Sequence, residues 1–144
     1  MTINEVLNKK GGKVVTLREN DTLQDAVDAM VVNKIGAVMV TDDAEMPAGI
    51  FTERDLLRVS AETKLKLGSI RLKDEMTRDL VIGIPSDEIE SILSVMTEKR
   101  LRHIPVMENQ KLVGIISAGD LVRALLQDHK FEIHYLKDYI TGKY

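Results

Sequence analysis

No cysteine occurs among the 144 residues, so a disulfide framework and a thiolate metal site are both excluded, and any metal would have to rest on His103, His129, His134 and carboxylates. Tryptophan is absent, and three Tyr and two Phe are the only aromatics, which leaves the core to Val, Ile, Leu, Met and Ala. No stretch approaches the roughly 20 apolar residues that cross a bilayer, and the opening MTINEVLNKKGGK has no apolar block of signal-peptide length. A cytoplasmic protein without membrane attachment is expected. The formal net charge of -3 argues against a general polyanion binder, so nucleic acid is not an expected partner.

What the chain does contain is one pattern written twice. Residues 14–40 laid over residues 80–106 put Val15 on Val81, Asp21 on Asp87, Met30 on Met96 and Val40 on Val106. After a one-residue gap, GIFTERDLLR (49–58) falls on GIISAGDLVR (114–123), so that Gly49, Ile50, Asp55, Leu56 and Arg58 meet Gly114, Ile115, Asp120, Leu121 and Arg123. An internal duplication follows. Each copy reads as strand, helix, strand, strand, helix. VVTL and DLVIGI are expected as the first strands, and Asp21 and Asp87 as N-caps of helices with apolar faces Leu23, Ala26, Val27, Met30 and Ile89, Ile92, Leu93, Met96. AVMVT and HIPVM follow as strands, AGIFT and LVGIIS pair with them, and helices begin at DLLRVSAE and DLVRALLQ. The fold class is α/β (α+β), two pseudo-symmetric repeats packed as one unit, because a half near 50 residues is marginal alone. The expected divisions are 1–62 for the N-terminal segment with repeat 1, 63–78 for a linker with a short helix at LKDEM, 79–128 for repeat 2, and 129–144 for a tail helix.

The repeated Thr52-x-x-Asp55 and Ser117-x-x-Asp120 admit two meanings. A hydroxyl followed three positions later by an acid at a helix start is a capping box. The same geometry presents unpaired N–H groups and a hydroxyl to a phosphate, while the acid suits a ribose diol. Catalysis has little to rest on: there is no G-x-x-x-x-G-K-[ST], no G-x-G-x-x-G and no H-E-x-x-H, and Ser117 with His103 has no third orienting group. No enzyme and no metal site are expected.

Two strand-helix-strand-strand-helix copies, each with Gly, a hydroxyl and Asp at its last turn (Gly49, Thr52, Asp55 and Gly114, Ser117, Asp120), together with RHIPV at 102–106, resemble a tandem CBS-domain (cystathionine β-synthase-type domain) pair. The resemblance covers about residues 1–128 and implies a non-catalytic regulatory module. Such a module dimerises and binds an adenosine-containing ligand, AMP foremost, or ADP, ATP, NADH or S-adenosylmethionine, between its copies. Carried to these residues, Thr52 and Ser117 with Arg54 would take phosphate, and Asp55 and Asp120 the ribose. Gly119 would let backbone approach, and Arg102 and His103 would stand where the first copy has small Gly36 and Ala37. Thr16, Leu17, Ile82 and Pro105 are the remaining candidates, for a base pocket. The first copy has Met39 where the second has Pro105, so the two sites should differ.

The tail repeats Phe131, Tyr135 and Tyr139 beside Ile133, Leu136 and Ile140, an amphipathic helix that docks either on its own core or across a homodimer. The effector protein that would receive the signal is unknown. The alternative to a sensor is a structural dimerisation module in which the Thr, Ser and Asp pairs are caps alone.

Overall fold

The computed structural model describes residues 1–11 and 13–128, so the expected tail helix lies outside the described residues. Helix α1 (Ile3–Lys10) opens the chain. Strand β1 (Thr16–Arg18), helix α2 (Leu23–Asn33), strands β2 (Ala37–Thr41) and β3 (Pro47–Thr52) and helix α3 (Glu53–Glu62) form the first repeat. A 3-10 turn (Leu67–Ser69) and helix α4 (Leu72–Glu75) make the bridge, and helix α5 (Ile89–Lys99), strands β4 (His103–Glu108) and β5 (Lys111–Ser117) and helix α6 (Ala118–Asp128) the second repeat. The expected α+β fold with two pseudo-symmetric repeats is the fold found.

The first sheet runs β1-β2-β3, with β1 parallel and β3 antiparallel to β2; the second is the antiparallel pair β4-β5. Here the expected strand at DLVIGI does not form. Gly83 alone bridges to Val106, through Gly83 N–H to the Pro105 carbonyl and Met107 N–H to the Gly83 carbonyl, both 2.9 Å. The cause is Pro105. In the first repeat the Met39 N–H reaches the Val15 carbonyl at 3.3 Å, and the equivalent position in the second has no N–H to offer Val81.

The N-caps also differ from expectation. Helix α2 is capped by Thr22 in a box with Asp25, and α5 follows Glu88 with no side-chain cap. Asp21 and Asp87 sit one residue earlier and accept the N–H of the residue three before, Arg18 at 2.7 Å and Ile84 at 2.9 Å. A short acid that finds an N–H in the turn ahead of it closes that turn instead of capping the helix.

The repeats exchange their first helices. Ile3 and Val6 of α1 are buried with Ile89, Ile92, Met96, Ile104, Val106, Ile116 and Leu121, in the core of the second repeat. Ile70, Leu72 and Met76 of the bridge are buried with Leu23, Ala26, Met30, Val38, Val40, Phe51 and Val59, in the core of the first. The hydrogen bonds match pairwise: Ile3 N–H to the Asp87 carbonyl at 2.9 Å answers Leu72 N–H to the Asp21 carbonyl at 2.8 Å. Segment 1–10, contiguous in sequence with the first repeat, therefore packs on the second.

These crossovers account for the repeated glycines. A Cβ on Gly49 would stand 2.6 Å from Met76 Sδ and 2.9 Å from the Thr77 carbonyl, and one on Gly114 would run into Leu7 Cδ2. A third cluster closes the two halves against each other: Ala37, Met39 and Ile50 from the first, with Val14, Leu80, Leu112 and Ile115 around them.

Candidate functional site

Two cavities open at the junction of the repeats. The larger, about 770 Å³, takes Thr52, Glu53, Arg54 and Asp55 from the start of α3, Arg100, Arg102 and His103 from the approach to β4, and Ser117, Ala118 and Gly119 from the start of α6. The smaller, about 440 Å³, is bordered by Lys10, Lys13, Val14 and Val15, by Gly36 and Ala37, and by Ser117, Asp120 and Arg123. Lys34, Ile35, Gly36, His103 and Ser117 border both.

Sheet register brings these groups together. β3 and β5 end on a hydroxyl residue that opens the next helix, and β2 and β4 begin opposite those ends, so Ala37 pairs with Thr52 and His103 with Ser117. Gly36 leaves the room: a Cβ there would lie 3.3 Å from Glu53 Oε2 and 3.5 Å from His103 Cε1. The larger cleft thus has two helix starts whose positive dipole ends suit an anion, although the first N–H of each is taken by a carbonyl, Glu53 by Gly36 at 3.1 Å and Ala118 by Arg102 at 2.8 Å.

Both motifs close as capping boxes. Asp55 N–H donates to Thr52 Oγ1 at 3.3 Å and Thr52 N–H donates to Asp55 Oδ2 at 2.9 Å. Asp120 N–H donates to Ser117 Oγ at 3.0 Å and Ser117 N–H donates to Asp120 Oδ2 at 2.9 Å. The remaining contacts differ. Asp55 Oδ1 accepts the Thr77 hydroxyl at 3.3 Å, with Arg58 at 3.7 Å; Asp120 meets Lys10 Nζ at 2.8 Å and Arg123 Nη2 at 2.7 Å. Burial pushes the Asp120 carboxyl upward, but the Lys10 hydrogen bond and the Ser117 N–H outweigh it and hold the group below the usual aspartate value.

His103 Nδ1 is buried without a hydrogen-bond partner. Burial lowers the imidazole pKa, Lys10 and Arg102 push the same way, and Glu53 and Asp120 oppose them. A neutral imidazole with one unused ring nitrogen therefore stands where the two cavities meet.

Of the residues singled out in sequence, the larger cleft collects Thr52, Arg54, Asp55, Arg102, His103, Gly36, Ser117 and Gly119, and the smaller adds Ala37 and Asp120. The structure does not bring Thr16, Leu17, Ile82 or Pro105 to either. Leu17 packs on the first core, Thr16 and Ile82 face solvent, and Pro105 is buried in β4 opposite Ile115. Gly119 has ordinary room, its nearest neighbour being Arg123 Nη1 at 3.4 Å from a built Cβ. The groups that sequence reading missed are cations. Lys34 and Arg100 end α2 and α5 in the left-handed conformation, at φ 55° and 57°, and both face the larger cleft. Their signal was a long cation at the helix-ending position that glycine ordinarily takes. Lys10 and Lys13 gave none, since the helix that delivers Lys10 is placed by a core formed far along the chain.

Paired, interlocked repeats with clefts at their junction and a hydroxyl-acid pair at each motif helix define a two-repeat α+β module. The family model described as "CBS domain" matches residues 3–62 and again 68–127, and the chain belongs to the CBS-domain family. It is 35% identical over 151 residues to the CBS domain-containing protein CBSX3, mitochondrial, of Arabidopsis thaliana, covering 99% of this chain and 73% of that one. Among solved structures it resembles the CBS-domain containing protein ATU1752 from Agrobacterium tumefaciens, at 36% identity and TM-score 0.81, over 85% of this chain and 92% of that one. It also resembles the CBS domain protein PAE2072 from Pyrobaculum aerophilum complexed with AMP, at 25% identity and TM-score 0.78, over 89% and 97% of the two chains. Among the described residues no helix is long and apolar enough to cross a membrane, and no cluster of three or more potential metal ligands occurs.

Proposed function

We propose that the protein is a non-catalytic sensor of an adenosine-containing nucleotide, AMP foremost and ADP, ATP, NADH or S-adenosylmethionine in the same class. On this reading it is a cytoplasmic homodimer that relays occupancy to a separate effector protein. The observation that carries it is the 770 Å³ cleft bordered by both motif helix starts, a size usual for small-molecule sites. Its chemistry is that of a nucleotide. The N-terminus of α3 with Thr52 and Arg54 suits phosphate, Asp55 suits a ribose diol, and His103 borders the same cleft. The relative complexed with AMP supports the choice of ligand. A non-catalytic role is favoured because the Ser117 hydroxyl serves as the α6 cap. Exposed Leu57 on α3 and Val122 and Leu126 on α6 are apolar surface that a second copy would cover.

One observation favours the other reading, a structural dimerisation module. Both capping boxes are already closed, so hydroxyls and carboxylates have partners without any ligand. Thermal unfolding of the purified, nucleotide-free chain with AMP, ADP, ATP, NADH, S-adenosylmethionine, GTP and adenosine separates the two. A sensor gains about 2.7 kcal/mol at a hundredfold excess over Kd, for the adenosine compounds alone. A flat response to all of them favours the dimerisation module. In the sensor, Asp55→Ala and Asp120→Ala each weaken binding by about 1.5–3 kcal/mol, and Arg54→Ala weakens phosphorylated ligands while sparing adenosine. Titration calorimetry reads all three.

A further inference from the structure

The two motif acids are held differently. Asp55 Oδ1 is met by a neutral hydroxyl, Thr77 Oγ1, at 3.3 Å, and Oδ2 takes a second, Thr52 Oγ1, at 3.2 Å. Both distances are long for bonds between oxygens, and either hydroxyl can turn away at small cost. Asp120 is instead clamped by cations. Arg123 Nη2 lies 2.7 Å from Oδ1, and Lys10 Nζ lies 2.8 Å from Oδ2, which also accepts the Ser117 N–H at 2.9 Å. Its side chain is 9% exposed.

Lys10 is the unusual member. It is the last residue of α1, 110 positions from Asp120 in sequence, and it reaches the 440 Å³ cleft because α1 packs on the second repeat. Its ammonium group also donates to the Ile115 carbonyl at 2.8 Å, so two of its three donors are spent on the wall of that cleft. Charge-assisted bonds of this length are roughly twice as strong as neutral ones. A ribose diol approaching Asp120 must displace this cation, whereas at Asp55 it meets weak hydroxyl contacts and an Arg58 guanidinium no closer than 3.7 Å.

We propose that Lys10 makes the smaller cleft selective for anionic adenosine compounds, those carrying phosphate, against the neutral nucleoside. A phosphate offers the displaced ammonium group a new partner beside Lys13 and Lys34, which border the same cleft. Uncharged adenosine offers it none. The larger cleft, where no lysine stands on Asp55, accepts both. This selectivity rests on the nucleotide reading above and assigns different ligand classes to the two clefts.

The test follows backbone amide NMR shifts of the full chain titrated with adenosine or AMP. Amides of 53–56 report the larger cleft and those of 113–115 the smaller, since neither set borders the other cavity. In the wild type, adenosine is expected to shift only the first set and AMP both. In Lys10→Met, adenosine is expected to reach the second set with affinity raised about tenfold or more, a ratio within the range of a charged hydrogen bond, while AMP weakens there. Lys10→Arg, which keeps the charge, should retain the wild-type preference. Adenosine and AMP acting equally on 113–115 of the wild type overturn the proposal while leaving the nucleotide reading intact, and this comparison needs no variant to fold. An unchanged adenosine-to-AMP ratio in Lys10→Met overturns it as well. If neither compound shifts either set, the nucleotide reading fails and the selectivity falls with it.

Discussion

Gly49 and Gly114 occupy the same place in the two repeats, yet their surroundings give them different tolerance. A methyl group on Gly49 meets the backbone carbonyl of Thr77 at 2.9 Å as well as Met76, and a carbonyl in a paired bridge cannot step aside. On Gly114 it meets only the end of the Leu7 side chain, which can rotate. Gly49→Ala is therefore expected to cost about 1–3 kcal/mol, the overpacking range, and Gly114→Ala clearly less, in urea unfolding followed by circular dichroism. Equal costs would contradict the packing described. His103 supplies a pH dependence. Its folded pKa is depressed, so between the unfolded value near 6.5 and the lower folded value the unfolded chain binds a proton that the folded chain does not. Stability is full above about pH 6.5 and falls on acidification below it. Asp120, also depressed, adds a loss only below its ordinary value of 3.8. His103→Gln should flatten the melting temperature between about pH 7 and 5.5 relative to the wild type, and an unaltered slope would sink this assignment.

At the scale of elements, what sequence revealed and what it hid have physical causes. Helices α2 and α5 and strands β2 to β5 were legible because Ala26, Met30, Ile92 and Met96 recur at helical spacing and the strands pair with near neighbours. Residues 79–84 looked as apolar as β1 and failed as a strand because of Pro105, a residue on the partner strand. Helix α1 was not foreseen although Ile3, Val6 and Leu7 have helical spacing, since the surface they bury against begins at Ile89. The candidate site divides the same way. Thr52, Asp55, Ser117 and Asp120 announce themselves by repetition, while Lys10 and Lys13 reach the smaller cleft only through tertiary placement. Ile3 is 1% exposed and Leu72 0%, equivalent anchors of the exchanged segments. Ile3→Ala and Leu72→Ala should each cost about 2–5 kcal/mol. A cost for Ile3→Ala within about 0.5 kcal/mol, the range of surface changes, would mean that α1 does not hold the second core.

For the molecule as a whole, neither repeat owns a complete core. The first lacks Ile70, Leu72 and Met76 without the bridge, the second lacks Ile3 and Val6 without the start of the chain, and Met39 and Ile50 are covered only when the halves meet. Unfolding in urea is expected as one transition, with hydrogen exchange at β2 and β4 reporting the same global free energy. Two separated transitions would show that the halves stand alone. The exchange of helices also orders events on the ribosome. Ile3 precedes Ile89 by 86 residues (89 minus 3), so at about 5–20 residues per second α1 waits roughly 4–17 s for the surface it packs on. During that interval its apolar stripe has no permanent partner, and the first repeat gains its own cover only once Met76 is made. A helix made 86 residues ahead of its partner surface is among the last to be placed, and nascent chains halted between the two repeats should be the ones that chaperones hold.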